Sequence, residues 1–436
     1  MDQILPQEYA QRHELNEELH RHSYEPLQPP ERIMLLVMLV TPEDRMREDA
    51  HLLALVEQCP ALSIDTTSNS IRYDFGAFRL KIERHIEFTR YKFVWKPQAS
   101  QKQNPLHDTF GELLPPGWLN HLPGCLLNGL NIALLEYPSD TTDAMLIEHH
   151  SACFDSSRFS ASHVGRSSGL AMTDFHIKAD GLIPFLVFTK ARLPAQNGRL
   201  ILRLLEIDTY RSLAMLSLPA ARNILKDLPA MESELATLTE SVAPGDGEGD
   251  EHLLEELTSI AARVERMTAA NARQLSASAA YFNLVSLRLK ELREEPIPQV
   301  TSIGGFLERR LEPARTTCEA ATNRLDQLSH RVSHASQLLR TRIEVRREIQ
   351  NQSLLVSMNE NFQSQLSLQK AAELLSFVIV PYYGVNLLTY LLEEVGELGG
   401  IPIDPQTVKA LGVPVIIILM LVVLRRVHRA SKPSGE

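Results

Sequence analysis

The sequence predicts an α+β cytoplasmic domain with a mainly antiparallel sheet. A long, antiparallel, coiled-coil-like helical stalk and a C-terminal two-helix transmembrane hairpin are predicted to follow it. Three observations support this fold class: period-two alternation of apolar residues in the first half, long glycine- and proline-free stretches in the second, and two apolar runs near the C-terminus. The predicted segments are 1–242 (domain), 243–250 (acidic linker), 251–370 (stalk), 371–392 (first transmembrane helix), 393–407 (outer loop), 408–426 (second transmembrane helix) and 427–436 (basic tail).

Composition excludes several classes of protein. The 436 residues carry a net charge of -10, whereas a nucleic-acid-binding protein needs a basic face. The 4 cysteines lie far apart with no CxxC spacing, which predicts neither a zinc site nor a disulfide framework and favours a reducing compartment. The polar N-terminus, which carries acidic residues, does not resemble a secretory signal.

Strand signals dominate the first domain. The run RIMLLVMLV at 32–40 predicts a buried strand, and EDRMREDAHLLALVEQC after it predicts an amphipathic helix. The segment IRYDFGAFRLKIERHIEFTRYKFVWK alternates with period two, and we expect a turn near Gly76. The runs NIALLEYP and LIPFLVFTKARL predict further strands. Asn197-Gly198 stands between the latter and RLILRLLEID, a pattern typical of a β-hairpin.

Two long helices are predicted after the linker. Residues 251–295 contain no glycine or proline and predict a helix of about 45 residues. Residues 314–380 are equally free of both and predict a second helix of about 67 residues, which continues into the first membrane span. A 3-4 apolar spacing predicts a coiled-coil-like seam at Leu325, Leu328, Val332, Ala335 and Leu339.

The C-terminus carries the membrane signal. Residues 374–392 are uncharged, and about 19 helical residues span about 29 Å, close to one hydrocarbon thickness. A second run, 411–424, reaches the lower length limit when 408–410 are added with Lys409 snorkelling. A buried pair of helices in a soluble protein is the alternative. The basic tail and the acidic loop place the tail and the N-terminal domain in the cytoplasm.

Several stretches resemble a bacterial family of predicted membrane-anchored proteins that contain a domain of unknown function. These stretches are LKIERHIEFTRYKF, TDFHIKADG, GRLILRLLEIDTYRSLAMLSLPAAR and PYYGVNLLTYLLEEVG, and the resemblance covers nearly the whole chain. RLLEIDTYR, at 203–211, is the most specific of them. The resemblance implies a membrane anchor in the bacterial inner (plasma) membrane and implies no particular chemistry.

The architecture also resembles that of two-span magnesium and cobalt transport channels. Those channels have a cytoplasmic α/β domain, a stalk helix entering the first span, an acidic outer loop, a basic tail and a Tyr-Gly-Met-Asn motif at the pore mouth. Here Tyr383, Gly384 and Asn386 stand in the sequence YGVN, and the resemblance implies that they line a pore for a divalent cation such as magnesium. Val385 replaces the methionine, and six uncharged residues follow the motif before Glu393.

Packing explains the same residues without conduction. Asn386 could form an interhelical hydrogen bond in an oligomer, and Gly384 could permit close helix approach. Tyr382, Tyr383 and Tyr390 could be residues of the aromatic belt at the membrane interface. Both interpretations stay open at this point.

The soluble domain offers two weaker candidate sites. Glu83, His85 and Glu87 alternate on a predicted strand and could hold a divalent ion, although a salt-bridged sheet face with Arg84 and Arg90 nearby is the favoured interpretation. The sequence GRSSG at 165–169 has the letters of a nucleophile elbow around Ser167. The polar run SRFSASHV before it predicts a surface loop instead of the required central strand.

Two functions follow as expectations. The first is an oligomeric, cation-conducting channel or transporter. The alternative is a non-conducting, membrane-anchored binding or scaffold protein. A tethered hydrolytic or ligand-sensing domain is a third and least supported class, because no catalytic motif stands in a convincing context. The partners expected are the lipid bilayer and further copies of the chain, without nucleic acid.

Overall fold

The computed structural model describes residues 8–13, 16, 24–66, 70–97, 105–106, 110–155, 157, 159–241, 249–399 and 405–430. Most of the predicted linker, together with residues 400–404 of the predicted outer loop and the end of the basic tail, lies outside the described residues. The chain divides into two compact units, Met1–Ser336 and Gln337–Glu436.

Among the described residues, the first unit contains ten strands and five complete helices, the last of which is α5 (Asp250–Leu292). The strands are β1 (Glu31–Leu39), β2 (Ser63–Thr66), β3 (Ser70–Asp74), β4 (Phe78–Arg84), β5 (Phe88–Trp95), β6 (Cys125–Glu136), β7 (Ser160–Val164), β8 (Gly169–Thr173), β9 (Ile183–Thr189) and β10 (Glu295–Pro296). Two shorter helices, α1 (Pro42–Gln58) and α2 (Asp143–His150), and two longer ones, α3 (Pro194–Met215) and α4 (Leu218–Ser241), lie among them.

Three more helices complete the described chain. They are α5 (Asp250–Leu292), α6 (Ile303–Gly399) and α7 (Pro405–Ala430). Helix α6 has 97 residues, so the prediction of a helix that runs without a break into the first apolar run is confirmed at the level of secondary structure. Three-residue and four-residue 3-10 turns also occur before β6 and after α2.

One sheet contains all ten strands, in the order β10-β7-β8-β9-β6-β1-β5-β4-β3-β2. Of the described strand pairs, β6 and β9 are parallel and the others are antiparallel, which confirms the prediction of a mainly antiparallel sheet. Strand β1 lies at the centre because its apolar residues face both sides of the sheet, and eight of its nine positions are buried. The expected turn at Gly76 occurs with φ 78°.

The predicted hairpin at Asn197-Gly198 is wrong, because both residues lie in the first turns of α3. The amide of Asn197 donates to the carbonyl oxygen of Leu27 at 3.2 Å, and its Oδ1 accepts from the Thr189 hydroxyl at 2.7 Å. A Cβ at Gly198 would collide with the Glu25 carbonyl oxygen. This Asn-Gly pair therefore joins the helix to the segment that precedes β1.

The polar segment before GRSSG is also a strand, contrary to the prediction of a surface loop. In β7 every residue except His163 is buried. Its serines are satisfied inside the protein: Ser162 donates to Glu294 and accepts from the Ile303 N–H at 2.9 Å. A polar sequence forms a buried strand here because its hydroxyl groups have partners.

The first unit also contains a helical bundle. Helices α5 and α6 line a common groove, with Leu275 and Phe282 on one side and Cys318 and Leu325 on the other. Beside it the Ser217 hydroxyl donates to Oγ of Ser278 at 2.6 Å and lies 3.3 Å from Sγ of Cys318. These three buried polar side chains join the α3–α4 junction to α5 and α6 and are called the serine–cysteine cluster below. Within the first-unit part of the predicted seam Leu325, Leu328 and Val332 are buried, and Ala335 is half-buried; the last seam residue, Leu339, is buried and belongs to the second unit.

The second unit holds the rest of α6 together with α7. By length and composition α6 is the one described helix that is long and apolar enough to cross a membrane. Most of the apolar part of α6 is exposed. Helix α7 contributes a shorter apolar stretch, Lys409–Val422.

Candidate functional site

The YGVN motif lies inside the uninterrupted helix α6. Pro381, Val385 and Thr389 are buried and recur every four residues, so they share one helix face. Gly384 lies at the edge of this face, and a Cβ placed on it would be 3.3 Å from Cδ1 of Ile416 in α7. The motif therefore contains a point of close approach between the two apolar helices.

The predicted pore residues divide between two sides of α6. Gly384 faces α7, Asn386 is half-buried, and Tyr383 is 67% exposed. The Thr389 hydroxyl donates to the carbonyl oxygen of Val385 at 2.8 Å, which satisfies this buried group within the helix. Packing against α7 thus accounts for Gly384, whereas Tyr383 points away from the contact.

The sheet residues predicted as metal ligands have separate partners. Glu83 forms an ion pair with Arg90, the residue directly opposite it in β5, and a second ion pair with Nζ of Lys81 at 2.6 Å. Strand β4 ends at Arg84, and the His85 ring stacks on Phe88 with ring centroids 4.3 Å apart.

Glu87 lies in the same turn as His85, where it pairs with Arg273 of α5 at 3.0 Å. Among the described residues no group of three or more His, Cys, Asp and Glu side chains could hold a metal ion. The geometry matches a salt-bridged sheet face with Arg90, while Arg84 pairs instead with Glu48 at 2.7 Å.

A larger buried charge network surrounds Glu83, and sequence reasoning missed it. Glu25, in the segment before β1, accepts from Nε of Arg79 at 2.6 Å and pairs with Nζ of Lys92 at 2.5 Å. Burial alone would raise the pKa of Glu25, but Lys92 and Arg79 lower it to about 2. Burial opposes ionisation of Glu83 as well, yet Arg90 and Lys81 hold its pKa well below its usual range. Both carboxylates are therefore ionised at neutral pH.

The network has a recognisable sequence signal. Arg79, Lys81 and Glu83 occupy alternate positions of β4 and share a sheet face, and Lys81 is opposite Lys92 in β5. Two lysines directly opposite each other repel and require nearby anions. Glu83 is one of these anions. The other, Glu25, comes from a segment without secondary structure, so no periodicity points to it.

The GRSSG sequence forms a turn between β7 and β8, and no helix follows it. Gly165, Arg166 and Ser167 have φ values of 64°, 59° and 57°, and the Ser167 hydroxyl donates to Glu295 at 2.5 Å. A nucleophile elbow needs a helix after the turn, so this segment lacks that geometry.

The N-terminus of α6 is fixed close to this turn. The Gly304 N–H donates to both carboxylate oxygens of Glu294, at 3.0 and 2.9 Å, and the Gly305 N–H donates to the Ser302 hydroxyl at 3.0 Å. An anionic side chain at a helix N-terminus satisfies free N–H groups and complements the helix dipole. Glu294 therefore attaches the start of the longest helix to the sheet.

These features define an α+β protein with a ten-stranded sheet, a buried charge network and long C-terminal helices. The sequence matches the family described as protein of unknown function DUF3422 over residues 7–431. The chain therefore belongs to that family, which confirms the resemblance to an uncharacterised family. No curated protein and no solved structure matches it. The resemblance to magnesium channels receives no support from these comparisons.

Proposed function

We propose that the chain is a membrane-anchored binding or scaffold protein whose apolar segments of α6 and α7 form a transmembrane hairpin. The observation that carries this proposal is the contact of Gly384 with Ile416, because it gives two neighbouring apolar helices a packed interface. The remaining apolar surface of α6 is exposed, as lipid-facing surface is in a membrane helix.

The exposed face of this α6 segment does not resemble the wall of a water-filled pore. Val380, Tyr383, Leu387 and Leu391 are all exposed. None of them is charged, and three are aliphatic. Hydrocarbon or a neighbouring apolar helix suits such a surface better than a hydrated cation does.

The proposed orientation follows from the flanking charges. Arg425 and Arg426 come directly after the apolar part of α7, whereas the connection between the spans is acidic. Because positive residues stay on the cytoplasmic side, both the sheet domain and the tail would be cytoplasmic, in a bacterial inner membrane. The hairpin would then hold the sheet domain at the membrane surface.

Fractionation tests the anchor. We expect the full-length protein to sediment with membranes and to resist alkaline carbonate extraction. A chain ending at residue 370 should remain in the supernatant and keep the fluorescence of buried Trp95 and Trp118. Full-length protein that stays soluble without detergent would overturn the proposal.

A cation pore is the second proposal, favoured by the half-buried amide of Asn386 beside the exposed phenol of Tyr383. Its ligand would be a divalent cation such as magnesium. It requires the protein to restore growth of a magnesium-transport-deficient strain, and Asn386→Ala to abolish that growth. If both the parent and Asn386→Ala restored growth, the anchor proposal would be unaffected, and Asn386 would not be part of an ion-selectivity filter.

A further inference from the structure

A small cavity lies within the buried charge network, between the sheet and α3. Its volume is about 20 Å³, and its apolar wall includes Leu35 of β1 and Leu205 of α3. Its charged wall consists of Glu25, Lys81, Glu83, Arg90 and Lys92. A cavity of this size has room for one particle of about the size of a water molecule, which needs polar partners to stay there.

The network around the cavity contains one more cation than it has carboxylates among the described residues. Its cations are Arg79, Lys81, Arg90 and Lys92, and its carboxylates are Glu25, Glu31 and Glu83. Lys81 and Arg90 share the carboxylate of Glu83. Glu206 also interacts with Arg90 but is paired with Arg288 at 2.7 Å. Because a buried cation without its own counter-ion is costly, this arrangement favours a further anion.

Two of the cations have hydrogen-bonding capacity left for such an anion. The Arg90 side chain is only 6% exposed, and in the described part of the chain its Nε has no hydrogen-bond partner. A buried N–H of this kind normally has an acceptor. The Lys81 ammonium carries three N–H donors, and Glu83 is its ion-pair partner. Burial lowers the pKa of Lys81, and repulsion by Lys92, directly opposite it in β5, acts in the same direction.

We propose that this cavity binds one small monovalent inorganic anion, such as chloride, between Lys81 and Arg90. The surplus positive charge favours an anion over a water molecule, and the volume excludes phosphate esters and organic acids. The bound anion would accept hydrogen bonds from both cations and reduce the repulsion between Lys81 and Lys92. It would therefore stabilise the sheet domain. The proposal goes beyond the membrane anchor and does not depend on it.

Thermal unfolding of the full-length protein in detergent tests the site. Its melting temperature, followed by the fluorescence of buried Trp95 and Trp118, is compared in sodium chloride and in sodium gluconate of equal ionic strength. Gluconate is too large for the cavity. We expect chloride to raise the melting temperature by about 2–4 °C and the effect to saturate, as for a ligand that binds only the folded state.

A matched pair of variants separates the cavity from a general salt effect. Lys81→Met removes the surplus positive charge and should abolish the difference between chloride and gluconate. Lys96→Met removes the same charge at an exposed position directly after β5 and should keep the difference. A parent protein that is insensitive to chloride, or an equal response of all three proteins, would overturn the proposal.

Equilibrium dialysis with radiolabelled chloride measures binding directly and does not require the variants to fold. The parent and Lys96→Met should bind one chloride per chain, and folded Lys81→Met should bind none. Bromide should displace the label from the parent, whereas gluconate should not. Absence of saturable binding to the parent would show that the cavity holds water. Displacement by gluconate, or binding that persists in Lys81→Met, would place the ion on the surface and would equally overturn the proposal.

Discussion

Gly384 of α6 and Ile416 of α7 approach so closely that a Cβ on the glycine would lie 3.3 Å from Cδ1 of the isoleucine. Gly412, a glycine in α7, has open space where a Cβ would be. Two glycines in neighbouring apolar helices thus have opposite surroundings. They allow the interface to be tested with matched substitutions.

Gly384→Leu should separate α6 from α7, because overpacking a tight contact costs about 1–3 kcal/mol. A thiol at buried Thr389, introduced as Thr389→Cys, reports the separation. We expect maleimide to label it roughly tenfold faster in the Gly384→Leu background. Gly412→Leu should leave the labelling rate at the parent value, and an equal increase in both backgrounds would contradict the predicted contact.

Glu25→Gln should destabilise the protein in a pH-dependent manner. A carboxylate whose pKa falls from 4.5 in the unfolded chain to about 2 in the folded one contributes roughly 3 kcal/mol above pH 4.5. Because the folded-state pKa is the lower one, this contribution disappears as the pH falls from 4.5 towards 2. Urea unfolding of the detergent-solubilised protein, followed by tryptophan fluorescence, measures the difference from the parent. Glu57→Gln on the exposed surface of α1 is the control and should show no such dependence.

Glu83→Gln should cost about 3–5 kcal/mol in the free energy of unfolding, since it leaves the buried cations Arg90 and Lys81 without their anion. Glu87→Gln removes only a pair with Arg273, which is 76% exposed, and should cost less than about 1 kcal/mol. Both changes are measured by the same urea titration. A metal site would instead make the two variants similar and make the parent's melting temperature depend on added magnesium or zinc.

Ser167→Ala should change stability by less than about 1.5 kcal/mol, because the hydroxyl makes one exposed hydrogen bond, to Glu295. A serine-reactive phosphonate should not label the parent protein, as judged by intact-mass measurement. Labelling that disappears in Ser167→Ala would show that the turn between β7 and β8 is reactive after all.

The large-scale pattern of the fold could be predicted from local signals. The absence of glycine and proline indicated the long helices α5 and α6, and period-two alternation indicated β3, β4 and β5. These signals succeed because each depends on neighbouring residues only. The start of α6 could not be predicted from these signals. Gly304 and Gly305 lie in its first turn because Glu294 and Ser302 accept hydrogen bonds from their N–H groups.

The features that could not be predicted from the sequence depend on contacts between residues far apart in the chain. Asn197-Gly198 has the local signature of a turn, but partners contributed by Leu27, Thr189 and Glu25 place it in a helix. The ion pairs of Glu25 likewise join residues more than fifty positions apart. The charged residues at 79, 81, 83, 90 and 92 could be placed on one face from the sequence. Their burial could not, because the covering segment gives no periodic signal.

The serine–cysteine cluster has a consequence for how the bundle is assembled. Leucine and alanine side chains make similar contacts when one helix is shifted along another by one turn. Apolar packing alone therefore determines the axial position of a helix only weakly. The hydrogen-bond contacts among the side chains of Ser217, Ser278 and Cys318 form in only one alignment of the helices. A shift of one helix along its axis would leave these buried polar atoms without hydrogen-bond partners. These three small side chains therefore fix the axial position of each helix within the bundle.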